Sequence, residues 1–152
     1  MTNLYGLLKV LHVLSVVIWI GGVTALWTTA LRLGRAGNRS AVAALLPVLA
    51  PFGQRVAGPA SGVVLITGIA MAVIGHLGQA LWIQLGLAGI LLHFILGATV
   101  VRRSWAQLGS LAAESSDDTA FAAAVRRASI VSWVYLLVMA AVIVIMVLKP
   151  AL

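Results

Sequence analysis

The sequence predicts an all-α polytopic membrane protein, four transmembrane helices in an antiparallel bundle, and three observations carry that reading. First, 62% of the 152 residues are hydrophobic and only 9% are charged, whereas a soluble domain carries about a quarter charged residues. Ten basic and three acidic side chains cannot solvate the surface of a chain this long, which excludes a soluble enzyme. Second, no Asp, Glu, Lys or Arg lies between Lys9 and Arg32, between Arg55 and Arg102, or between Arg127 and Lys149. A bilayer span takes about 20 apolar residues, so the first and third stretches hold one helix each and the long middle stretch holds two. Third, every arginine falls in the first or third connection between those helices. Barrel strands are excluded, because they alternate over about ten residues and these runs are long and unbroken.

The elements follow in order within one domain spanning residues 1–152. The first span is placed near Leu4–Leu31. It has no basic region ahead of its apolar run and no small-x-small site leading into a polar domain, so it reads as a retained helix and not a signal peptide. Residues 32–55 form the first connection, and within it Ser40–Pro51, carrying Pro47 and Pro51, reads as a broken interfacial segment. The second span is near Val56–Gly75, and the cluster Gly75-His76-Leu77-Gly78-Gln79 is its turn into the third, near Ala80–Val101. Residues 102–127 form the third connection. All the acids, Glu114, Asp117 and Asp118, sit there, where they suit a positive helix start with Ser115 or Ser116 as cap. No Gly or Pro occurs from Asp117 to Lys149, so the fourth helix, with its span near Ala128–Leu148, is expected to project well beyond the bilayer.

The eight arginines, Arg32, Arg35, Arg39, Arg55, Arg102, Arg103, Arg126 and Arg127, place connections 32–55 and 102–127 in the cytoplasm and both termini outside. The pI of about 11.6 is read as this topology signal, with contacts to anionic lipid, and not as nucleic-acid binding. The partner expected first is therefore the lipid bilayer. Small-residue rows on the helices also allow a homodimer or a place in a larger membrane complex.

The chain has no cysteine, which removes disulfides, thiolate ligands and cysteine nucleophiles. No phosphate-binding glycine loop, carboxylate pair or zinc-ligand cluster occurs either. Possible chemistry rests on two intramembrane histidines, His12 and His93, because an ionisable side chain in a span is a functional-site hypothesis by default. Counted inward at 1.5 Å per residue they lie roughly 12 and 17 Å deep, on helices of opposite direction. Lys9, His12, Ser15, Trp19 and Gly22 share one stripe of the first helix, and Gly86, Gly89, His93 and Gly97 share one of the third. The glycines fit ordinary close helix packing or the approach of a flat ligand. A haem b held between His12 and His93 would meet a propionate partner in Lys9. A copper site would instead combine His12 with the thioethers of Met139 and Met146. His76, in the outer turn, is expected to be solvated.

The run Leu8-Lys9-Val10-Leu11-His12, followed by Trp19 and Gly21-Gly22, resembles the first helix of small bacterial membrane proteins of four to five helices. Among these are the copper-resistance D family and the flavin-free, haem-carrying protoporphyrinogen oxidase family. Arg55, Pro59 and Gly68 resemble the pattern that opens the second helix in that group. In length and layout the chain is most similar to an uncharacterised family of small four-helix bacterial integral membrane proteins sharing these motifs. The resemblance covers helices one to three. It implies His12 as haem or metal ligand, Trp19 and Arg55 as cofactor-binding residues, and the bacterial inner membrane as location. The oxidase pattern also carries a lysine soon after a tryptophan at the start of the third helix, whereas here Trp82 is followed by Gln84 and Gly86. The expected function is thus a haem b-binding, cytochrome-like membrane protein in electron transfer or haem-linked oxidoreductase chemistry. Copper or small-solute handling and a structural subunit of a larger complex are the alternatives. The topology is tested with single cysteines introduced at position 37 or 109. A reagent that cannot cross the membrane should label them only after permeabilisation, and labelling of intact cells would reverse the orientation.

Overall fold

The computed structural model describes residues 2–114 and 117–150. It consists of four long helices: α1 (Asn3–Arg35), α2 (Arg39–Ile74), α3 (Leu81–Glu114) and α4 (Asp118–Leu148). All four are long and apolar enough to cross a membrane, and no strand occurs among the described residues. This is an all-α polytopic membrane fold. The short connections force neighbouring helices to run antiparallel. At 31 to 36 residues each, the helices measure roughly 47–54 Å, against a hydrocarbon core of about 30 Å. Each therefore has a stretch outside the apolar layer, and the arginines fall there.

The first connection is nearly all helix. Only Ala36–Asn38 interrupts it, with Gly37 at φ 72° making the turn and the Asn38 side chain accepting from the Ala41 N–H at 3.1 Å to cap α2. The segment Ser40–Pro51, read from the sequence as broken, is continuous helix with Pro47 and Pro51 inside it. Each proline deprives one carbonyl of its partner and crowds the preceding turn. The π-helical segment Gly53–Ala57 follows directly, and such local rewinding is how a membrane helix absorbs a proline. The third connection is also mostly helical. Ser115 and Ser116 lie outside the described residues, and the cap of α4 is Asp117, which accepts from Ala120 N–H at 2.9 Å. The Gly75–Gln79 turn is present, with His76 at φ 53°, and α4 runs unbroken for 31 residues.

The two halves of the bundle are packed differently. At the arginine-bearing end all four helices meet in one core of Leu31, Val42, Trp105, Leu108, Phe121 and Val125 with small residues between them. Arg39 binds this end together. It donates to the Leu111 carbonyl at 3.2 Å, pairs with Asp118 at 2.7 Å and lies 4.7 Å from the Phe121 ring centre. At the other end the helices pair off, α1 against α2 and α3 against α4. The glycine row of α3 is the seam of its pair: a Cβ at Gly86 would strike Met146 and one at Gly89 would strike Val142. Apolar side chains such as Leu7, Val10, Ile66, Leu91, Leu137 and Val147 point outward, as a lipid-facing surface requires.

Close packing at the arginine end is testable at Gly34, where a Cβ would sit 2.8 Å from Val125 Cγ2. Gly34→Leu should cost about 1–3 kcal/mol through overpacking, read as a lowered thermal midpoint in detergent. Gly6→Leu, where nothing lies within 4 Å, should be neutral or slightly stabilising.

Candidate functional site

The split between the helix pairs encloses the larger of two cavities, about 730 Å³, within the usual range for small-molecule sites. All four helices and the Gly75–Gln79 turn line it. Its walls are mainly apolar, and its chemistry comes from His12 on α1, Met71 on α2, His76 in the turn, and Met139 and Met146 on α4.

His12 is held by its neighbours on α2. Its Nδ1 lies 2.9 Å from Thr67 Oγ1, and that oxygen lies 2.6 Å from the Val63 carbonyl. A hydroxyl has one proton, and the short bond to the carbonyl uses it. Thr67 therefore accepts from Nδ1–H, which leaves the lone pair of the imidazole on Nε2. The ring edge rests on Gly68, where a Cβ would stand 3.3 Å from His12 Cε1. A partner on one ring nitrogen that fixes the tautomer of the other is the usual support of a metal-ligating histidine.

His93 belongs to a different place. It is 2% exposed, its Nε2 is hydrogen-bonded to the Tyr135 hydroxyl, and Trp19 meets it edge-on with centroids 4.3 Å apart. These residues line a second cavity of about 390 Å³ nearer the arginine end. Trp19 borders both cavities, but His12 lines only the first and His93 only the second. The structure thus does not set the two imidazoles across one ligand. They differ in level as well, since His93 packs on Trp19, about two turns further along α1 than His12, and α1 turns His12 toward α2 while α3 turns His93 toward α4.

The remaining expected residues separate as well. Lys9 and Arg55 are exposed and line neither cavity. Met139 and Met146 line the larger cavity, as does His12. Among the described residues no group of three or more His, Cys, Asp or Glu could hold a metal. His76 is exposed, as expected, and also lines the larger cavity.

Three contributors went unremarked in the sequence. Thr67 is a lone hydroxyl one residue before Gly68. Tyr135 ends a row with Ser129 and Ser132 at steps of three, a polar line on an apolar helix that helical spacing does reveal. Lys149 is the third: its ammonium lies 5.3 Å from the ring centre of Trp82, a residue of the larger cavity's wall, although Lys149 itself does not line the cavity. The tautomer of His12 gives a direct check. Nitrogen NMR of imidazole-labelled protein should show Nδ1 protonated and Nε2 bare, and Thr67→Val should abolish that preference.

Residues 6–150 match the model of a family described as "Predicted integral membrane protein (DUF2269)". No curated protein and no solved structure matches the chain. The match covers nearly the whole sequence, including every residue of the two cavities except Tyr5, and the chain belongs to this family of integral membrane proteins.

Proposed function

We propose that the protein binds haem b in the larger cavity, with His12 as the protein's ligand to iron, and serves in haem-linked electron transfer. The observation that supports this reading is the fixed tautomer of His12: a membrane-buried imidazole, braced by Thr67 and backed by Gly68, lines an apolar space with its lone pair on Nε2. The residues fit the group. The cavity has the volume and the apolar walls a macrocycle needs, Gly68 lets the His12 ring lie close against α2, and Lys149, beside Trp82 of the wall, would be the cation for a propionate. His93 has no part in this site, because Tyr135 occupies its Nε2. Bound haem, held by His12, would supply one-electron chemistry, with the imidazole and the apolar walls tuning its potential. We place the arginine-bearing end in the cytoplasm of a bacterial cell and the cavity toward the outer face.

A second reading has its own observation. The thioethers of Met71, Met139 and Met146 share the cavity with His12, a soft donor set suited to Cu(I). The two readings separate on purified protein. Protein from haem-replete cells, or protein given hemin, should be red with a Soret band that shifts on dithionite reduction. His12→Ala should lose stoichiometric haem, Lys149→Ala should weaken retention without altering the spectrum, and His93→Ala should keep it. A colourless preparation that takes up no hemin overturns the haem reading. One copper per chain, lost in Met139→Leu, would establish the alternative.

A further inference from the structure

The smaller cavity has features that helix packing alone does not require. Three π-helical segments, Val17–Gly21, Gly53–Ala57 and Gly97–Val101, occur one on each of α1, α2 and α3, and all three contribute to its lining through Trp19, Gly53 and Gly97. Such segments are rare and concentrate at functional sites, because the widened turn is a poorer helix. At the inner wall stand His93 and Tyr135, both nearly buried, and His93 Nδ1 has no hydrogen-bond partner. An imidazole in apolar surroundings with one nitrogen unpaired is costly.

We propose that this cavity is a second ligand site, taking a lipid-soluble planar ring that carries a carbonyl or hydroxyl oxygen, the chemical class of quinones and quinols. The planar ring follows from the lining: Trp19, Trp27, Phe52 and Phe94 offer aromatic surface around about 390 Å³. The ring oxygen follows from the His93–Tyr135 pair, which can give a proton to a carbonyl or accept one from a hydroxyl. An acyl chain would leave that pair with nothing to bond. Solubility in lipid follows from the rim, where Gly58 and Ala98 are exposed within the stretch that carries no charge between Arg55 and Arg102. A ligand would enter there from the side, through the bilayer.

This inference does not depend on what fills the larger cavity. Its test uses two probes that differ only in their ring oxygens, menadione and 2-methylnaphthalene, measured by equilibrium dialysis against the full chain in lipid nanodiscs with empty nanodiscs as baseline. Menadione should saturate at one per chain and bind about five- to tenfold more tightly, the worth of one or two hydrogen bonds. Tyr135→Phe, which keeps the ring, should remove that preference, whereas His12→Ala should retain it. Equal binding of the two probes to the unaltered protein overturns the proposal and needs no variant to be interpreted. Loss of the preference in His12→Ala would make the two cavities one site and overturn it too.

Discussion

Between helices in a bilayer there is no hydrophobic effect to draw one to another, so association rests on how closely two backbones can approach. In this protein that approach is made at the glycine row of α3, where Met146 and Val142 of α4 occupy the places that side chains at Gly86 and Gly89 would need. The opposite pair has its own version, with His12 of α1 lying on Gly68 of α2. Because the small residues are used within the pairs, little is left to close the gap between them. The larger cavity lies between the two hairpins, which the Gly75–Gln79 turn ties together at one end and the shared core at the other.

Burial of polar groups follows from the same economy. In hydrocarbon an unbonded N–H or hydroxyl has no water to turn to, and helix α4 answers with a line of donors and acceptors. Ser129 takes the Arg35 guanidinium, Ser132 takes the Trp105 indole N–H at 3.2 Å, and Tyr135 takes His93. Thr67 satisfies its own proton on the Val63 carbonyl and still receives His12. Against that background the unpaired atoms stand out. Among the described residues they are His93 Nδ1 and Ser104 Oγ, and only the first belongs to a residue lining a cavity.

Much of the fold was legible because lipid imposes a coarse code. Charge-free runs marked the helices, the Gly75–Gln79 cluster marked the turn, and the absence of Gly and Pro after Asp117 marked the long α4. The prolines at 47 and 51 misled, since the rule that they break helices assumes that the freed carbonyls have nothing better to do than meet water. The glycine row at 86, 89 and 97 was visible from its spacing, which left packing or a flat ligand open, and at Gly86 and Gly89 it is packing. The site was less legible. Depth along a helix comes from counting residues, but the direction a side chain faces depends on which neighbour the helix chooses, and that choice is made by contacts far apart in sequence. Counting gave His12 and His93 comparable depth, yet one meets Thr67 while the other meets Tyr135 and Trp19, about two turns further along α1. Lys9 shares a stripe with His12 but points outward, while Lys149, remote in sequence, arrives over Trp82.

The uneven closure of the bundle has a mechanical meaning. Interlocked cores resist deformation because every atom already has neighbours on all sides, whereas atoms lining a void lack them on one side and yield more easily. Trp105, Leu108 and Phe121 have neighbours on all sides, whereas Trp82 and Met146 border open space and have room to shift. The wall of the larger cavity is thus the part of the bundle with the most freedom to adjust its shape.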